Sequence, residues 1–493
     1  MNFHIEPSLE RLREFTGQYA YLPLFTSFYV DTETPISVFK RFEERSTNCF
    51  LLESMEGSER WGRYSFLASS PLAILRCENG KTEARFRDGT IEALEETPLE
   101  AVKNFMTRFS SPTLPELPRF YGGAVGFMGY DLVRYMENLP HPPCDDLNTP
   151  DLCMMVADEV LIFDHVKQKL ILVVCFSTDK PLEEAYAEAA QRLQSLYDEA
   201  FAPATEEMPQ SPEAKSHEVT CNMTQEHYLK CVEIAKQHIF DGDIFQVQIS
   251  QRFSMEAPSS ALSVYRRLRL TNPSPYMFYI KLDDLTLIGA SPELLLRCSD
   301  GRLETCPLAG TRRRGRDPKE DAELEQELLN DEKEKSEHMM LVDLGRNDLG
   351  RVSEFGSIQV DRLMEVVRFS RVMHLSSTVT GKLKGGLHPL DALTAVYPAG
   401  TLTGAPKVRA MEIIDALEST RRGPYGGAIG YLSFDGHVDS CITIRTVLIK
   451  DGKAYVQAAA GVVADSDPEK EYKECQNKAK AVLEAIREAG NVQ

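Results

Sequence analysis

No apolar run in the 493-residue sequence reaches the ~18–20 residues that a membrane helix needs, so no transmembrane segment is expected. The start, Met-Asn-Phe-His-Ile-Glu-Pro, lacks the basic-then-apolar pattern of a secretory leader. The 11 cysteines never form a Cys-x-x-Cys pair. Scattered singly in a chain of this size, they point to reduced, mostly buried thiols and a cytoplasmic setting, not to a disulfide framework or a zinc site. Positive charge is scarce: 55 Lys and Arg against 75 Asp and Glu give 55 − 75 = −20. That argues against non-specific nucleic-acid binding, which needs a basic face. It also means that a small anionic substrate must be drawn in by local cations or a metal, against the overall field. The run Thr311-Arg-Arg-Arg-Gly315 is the one candidate basic patch, and no aromatics interleave it. No Gly-x-Ser-x-Gly elbow and no Rossmann Gly-x-Gly-x-x-Gly after a strand is present, and Lys407 does not sit where a Walker loop requires it.

What is present is ordinary for a soluble globular protein: 42% apolar and 26% charged residues. The length exceeds one ordinary core, so two large lobes or two to three domains are expected. Residues 202–218, rich in Pro and Glu and poor in apolar side chains, read as a linker. The boundaries that follow are 1–201, 202–218 and 219–493. Leu182, Tyr186, Ala189, Leu193 and Leu196 recur at helical spacing before the linker. After it, Thr224 is placed to cap a helix carrying Tyr228, Val232, Ala235 and Ile239, which Gly242 stops before an alternating strand Ile244–Phe253. Short β-type runs (Cys49–Glu53, Ala73–Cys77, Val160–Phe163, Lys169–Phe176) without regular strand–helix alternation predict an α+β fold on antiparallel sheets.

Two predicted helices carry Glu-x-x-Glu. Glu334 and Glu337 share one face, with His338 next; Glu471 and Glu474 share another, with Asp467 as N-cap, Pro468 at the first position and Lys478 one turn on. Four carboxylates from two helices suit a hard cation such as Mg2+, although Glu-x-x-Glu on a helix is most often a solvated face. Between them, Tyr397-Pro-Ala-Gly-Thr-Leu-Thr-Gly-Ala-Pro-Lys407 runs into an amphipathic helix (Val408, Met411, Ile414, Leu417), offering N–H groups and hydroxyls to an anion. A second small-residue turn, Gly423–Gly430, leads to a strand ending at Arg445, and a third is Ala458-Ala-Ala-Gly461. Together with Arg445 and the Glu pairs they suggest a carboxylate-binding pocket.

The combination of Ser291-Pro-Glu293, Pro307-Leu-Ala-Gly-Thr311, Ser336-Glu-His-Met-Met-Leu-Val-Asp-Leu344, Gly400-Thr-Leu-Thr-Gly-Ala-Pro-Lys407 and Glu471-Tyr-Lys-Glu474 resembles the chorismate-utilising enzymes over about residues 220–485. Phe50-Leu-Leu-Glu-Ser54 and Arg60-Trp-Gly-Arg-Tyr64 are similar to the N-terminal lobe of the anthranilate synthase large subunits within that family. The resemblance implies their two-lobed sandwich of mainly antiparallel β-sheets covered by helices. It implies Mg2+ on Glu337 and Glu474, with Glu334 and Glu471 supporting. Tyr425 and Arg445 match the grip on the enolpyruvyl carboxylate, and Gly310, Thr311, Thr401, Ala459, Ala460 and Gly461 match the rest of the pocket. Glu293 matches the general acid for the departing 4-hydroxyl and His374 a histidine of the later elimination. Gln246 and Lys478 complete the catalytic group. Aminodeoxychorismate synthases carry Lys where Ala309 stands, and isochorismate-forming relatives carry Lys where Gln246 stands, so an ammonia-using, anthranilate-forming reaction is implied. An aminodeoxychorismate synthase component is the alternative. The resemblance further implies feedback inhibition by tryptophan, at Glu53, Ser54, Pro275, Tyr276, Met277 and Cys441. With no Gly-x-Cys-x-Gly amidotransferase elbow in the sequence, a separate glutamine amidotransferase subunit is expected, in a heterodimer or heterotetramer.

Overall fold

The computed structural model describes residues 4–55, 62–203, 218–369 and 372–489; Arg60 and Trp61 of the N-terminal motif, and most of the expected linker, lie outside them. Two twelve-stranded sheets, every pairing within them antiparallel, form the framework among the described residues. The first sheet runs in space through Tyr21–Tyr29, Lys169–Ser177, Glu159–Asp164, Tyr64–Ser69 and Cys49–Glu53. It continues through Tyr276–Leu282, Leu285–Ser291, Thr446–Lys450, Lys453–Val462 and Gln246–Glu256. The second runs through Leu308–Arg313, Val372–Lys382, Arg302–Thr305, Leu294–Ser299, Val438–Ile442 and Ala428–Ser433, then Gly123–Met128, Leu152–Ala157 and Ala73–Glu78. Residues before 202 and after 218 thus enter both sheets.

The first sheet is apolar on both faces because both are covered. In Lys169–Ser177, Ile171, Val173 and Cys175 join the core between the sheets, while Leu170, Leu172 and Val174 join the core under the helices. A strand buried on two sides has no polar face to alternate with, hence its continuous apolar run. The same holds for Gln246–Glu256, which begins two residues later than its sequence pattern suggests and is buried along nearly its whole length. Among the described residues, seven helices cover the outer face, including Leu182–Ala200, Gln225–Phe240 and Pro468–Glu488. Thr224 caps the second of these by accepting from His227 N, and Gly242 follows its end at φ +81.

Three expectations change. Residues 428–442 form a hairpin, Ala428–Ser433 with Val438–Ile442, turning at Asp435-Gly436, so no single strand reaches Arg445. Arg445 instead sits at φ +54 in the short crossing from that hairpin to Thr446–Lys450 of the other sheet. Ala458–Gly461 is not a turn; it lies inside Lys453–Val462, with Ala459 opposite Ser250 and Gly461 opposite Gln248. Small residues are needed there for packing, since a Cβ on Gly461 would stand 2.7 Å from Gln246 Nε2. Val408 is 38% exposed, and Ala410 and Ile413 join Met411, Ile414 and Leu417 on the buried face of their helix.

Candidate active site

Helix Glu332–Gly350 starts at Asp331, whose carboxylate accepts from the amides of Lys333 and Glu334. His338 is fully buried, its Nε2 2.6 Å from Ser377 Oγ, and this anchors the helix to strand Val372–Lys382. Glu334 and Glu337 are then turned toward strands Leu308–Arg313 and Gln246–Glu256. Gln246 Nε2 donates to Glu337 Oε1 at 3.0 Å, and Arg312 holds Glu334 at 3.1 Å. Opposite them, Asp467 caps helix Pro468–Glu488 by accepting from Lys470 N, with Pro468 in the first turn. Glu474 pairs with Lys478 at 2.8 Å, and Lys478 Nζ also donates to Ala459 O at 2.9 Å. The arginine run is paired with acids throughout: Arg312 with Asp331 and Glu327, Arg313 with Glu320, and Arg314 with Asp321.

Burial is the main influence on the carboxyl groups. It raises Glu337 above the usual carboxylate range; Gln246 and Lys478 oppose this, while the negative charges of Glu334 and Glu474 add to it. Glu471 is raised for the same first reason, and Glu474 again adds to it. Glu337 and Glu471 therefore feel like charges that their own partners only partly offset. Among the described residues, no three acid, imidazole or thiol groups converge closely enough to cage an ion. Chemically, an all-oxygen set with excess negative charge fits a hard divalent cation.

Glu293 follows strand Leu285–Ser291, and its amide and carbonyl are fixed by Ser291 Oγ and Ile442 N. Its side chain is buried, and desolvation pushes its carboxyl up to about 8, against smaller pulls from Thr401, the Leu308 amide and Lys478. Thr401 Oγ1 is buried beside it. His374 Nδ1 lies 3.1 Å from Gly310 O and 3.0 Å from Thr311 Oγ1. A carbonyl only accepts, so Nδ1 carries the proton and Nε2 presents a lone pair. Burial pushes the imidazole down to about 4, keeping it neutral at pH 7. Gly310 adopts φ +66, and a Cβ there would reach within 3.2 Å of Glu334 Oε2. Arg445 is half-buried, its usual value lowered by desolvation, and its one hydrogen bond among the described residues goes to Lys478 O at 3.2 Å. Tyr425 is buried beside it, and its hydroxyl is raised by burial.

Arg422 carries no signal in the sequence, since three of the groups it meets, Leu402, Gln248 and Tyr130, come from other segments. It is buried and donates to Glu418, to Leu402 O at 2.7 Å and to Gln248 O at 2.8 Å, and lies over the Tyr130 and Tyr425 rings. One ion pair thus ties the Thr401 loop, the Gln246 strand and Tyr425 together.

Away from this cluster, between the sheets, lies a cavity of about 1040 Å3. Glu53, Ser54, Pro275, Tyr276, Met277 and Cys441 all line it. Sequence reasoning missed Arg63, Arg119, Arg297 and Asp439 on its wall; Tyr276 and Arg297 both bond Asp439, at 2.8 and 2.9 Å. Tyr265 (2.6 Å), Arg269 (3.0 Å) and Ser65 (3.2 Å) hold the Glu53 carboxylate. Ser54 Oγ is buried and has no hydrogen-bond partner among the described residues.

The family model for chorismate binding enzymes matches residues 47–484. The chain is 51% identical over 491 residues to an anthranilate synthase component 1 of Acetivibrio thermocellus, covering 99% of each. It is similar to the crystal structure of anthranilate synthase component I from Streptococcus pneumoniae, at TM-score 0.77 and 40% identity, covering 87% of this chain and 93% of that one. A menaquinone-specific isochorismate synthase from Escherichia coli shares the fold at TM-score 0.70 and 19% identity, covering 97% and 98%.

Proposed function

The chain belongs to the chorismate-binding enzymes, and from that premise we propose that it is the chorismate-converting component of an anthranilate synthase. One observation carries the choice within the family: Gln246, not a lysine, faces Glu337 at 3.0 Å, so no amine stands there to activate water. Ala309, on strand Leu308–Arg313, likewise offers no nucleophile, which leaves ammonia as the attacking group and counts against an aminodeoxychorismate synthase component.

Arg445 and Tyr425 hold the enolpyruvyl carboxylate, the guanidinium by charge-assisted hydrogen bonds. Gly310, Thr311 and the Ala459–Gly461 edge line the ring, with Lys478 fixed against Ala459. Mg2+ bound by Glu337 and Glu474, with Glu334 and Glu471 in support, would supply electrostatic attraction for the ring carboxylate. Ammonia forms a bond to C2 while the 4-hydroxyl departs; Glu293, protonated at neutral pH, gives its proton so that water leaves. His374 Nε2 then accepts the C2 proton as the bond from the ring to the enolpyruvyl oxygen breaks and the ring aromatises, and the departing enolate takes up a proton at its methylene carbon to become pyruvate. Ammonia derived from glutamine comes from a separate amidotransferase subunit. Tryptophan binds the cavity between the sheets and inhibits. No helix among the described residues is long and apolar enough to cross a membrane, and we place the reaction in the cytoplasm.

The test incubates the purified chain with chorismate, Mg2+ and an ammonium salt. Anthranilate fluorescence with equimolar pyruvate is expected, and none with glutamine alone or after chelation of the metal. Isochorismate or aminodeoxychorismate as the main product would overturn the reading.

A further inference from the structure

A second cavity, of about 550 Å3, opens between helix Ala261–Thr271, the start of helix Pro35–Glu43 and the turn that joins strands Glu159–Asp164 and Lys169–Ser177. Its charged lining consists of Arg266, Arg269, Lys169, Glu33 and Asp164, with His165 beside them. Both carboxylates are already neutralised from outside the cavity. Glu33 is held by Arg41 at 2.7 Å and by Ser37, and Asp164 by Arg63 at 2.8 Å and by the amides of Val166 and Lys167. Arg269 is balanced by Glu53. Arg266 and Lys169 remain. Neither has a carboxylate partner among the described residues; Lys169 lies only over the Tyr29 ring, at 5.2 Å.

In a chain of net charge −20, two uncompensated cations facing one concave site are a focused positive spot in a negative field. We propose that this cavity is a binding site for a small oxyanion of the phosphate or carboxylate class, held by Arg266 and Lys169. Arg269 would add its remaining donors to the ligand while keeping Glu53. A guanidinium with no other partner presents the planar donor fork that suits such anions. His165 contributes no standing charge: burial lowers its affinity for a proton, and its Nε2 is engaged with Ser65 Oγ at 2.7 Å. The site is separate from the larger cavity, from which the Glu53–Arg269 and Ser65–His165 contacts divide it.

The experiment titrates inorganic phosphate, and in a second arm malonate, into the full chain by calorimetry at constant ionic strength in a chloride buffer. Saturable binding of at least one of them is expected. Arg266→Glu and Lys169→Glu should each weaken it at least tenfold, and Arg266→Lys should weaken it less. A denaturation midpoint equal to wild type confirms that the variants are folded. Preference for phosphate or for malonate identifies which oxyanion the site takes. Absence of saturable binding by either probe, or unchanged affinity in both charge-reversed variants, would overturn the site.

Discussion

At the scale of single residues, Glu293 is the most exacting case. Its carboxyl titrates near 8 because burial disfavours the charge, so the proton it donates is present below that pH and lost above it. With free ammonia held constant, kcat/KM should fall as pH rises through about 8, and Glu293→Gln should cost roughly 10²–10⁴ in rate. The same shift bears on stability. A folded-state pKa raised above the ordinary carboxyl value contributes stability that is complete at low pH and is lost as pH rises through about 8. Urea midpoints should therefore drop between pH 6 and 9 more in the wild type than in Glu293→Gln; parallel curves would show that the carboxyl is not held neutral. Arg422 gives the second test. Replacing it by Met strands Glu418 in the interior, at about 3–5 kcal/mol, and Arg422→Met with Glu418→Leu should recover much of that in denaturant midpoint. An equal loss in single and double variants would deny the pair its role. The glutamates, Glu293, His374 and Arg445 were legible because motif and spacing mark them. Arg422 and Arg312 were not, since the strands and loops that their side chains reach are set by the tertiary fold.

At the scale of elements, the two carboxylate helices were readable from their caps. Asp467 and Pro468 fix where Pro468–Glu488 begins, and Cys475, Ala479, Val482 and Ile486 fix which face is buried. Packing of that face outweighs the cap, yet the cap orders the turn that holds Glu471. Asp467→Ala should lower stability by about 1 kcal/mol in urea melts, and an unchanged midpoint would mean that packing alone defines the helix start. Strand starts and ends at Cys49–Glu53 and Lys169–Ser177 were readable within a residue or two because apolar runs stop at charged or turn residues. The hairpin at 434–437 was hidden, since apolar residues flank a turn made only by Asp435-Gly436. Ala458–Gly461 looked like a turn because small residues serve turns and close packing alike.

At the scale of the whole molecule, antiparallel sheets were predictable and their strand order was not, because pairing between distant segments leaves no local mark. The cavity between the sheets belongs to this scale, since both sheets build its walls. Ser54→Phe should fill its rim and raise the tryptophan concentration for half-inhibition more than tenfold, with the uninhibited rate unchanged. Equal sensitivity of variant and wild type would put the regulatory site elsewhere. A coupling of ~1–3 kcal/mol between that site and chorismate is reciprocal, so chorismate should loosen tryptophan by the same factor. The interleaved sheets have a further bearing on how the protein is made. One edge of Gly123–Met128 pairs with Leu152–Ala157, made soon after it, but the other edge waits for Ala428–Ser433, roughly 300 residues later, which a ribosome adds over about 15–60 s at about 5–20 residues per second. For that interval an apolar strand leaves the ribosome with one edge open, and it is the segment of the nascent chain on which chaperone binding during synthesis should concentrate.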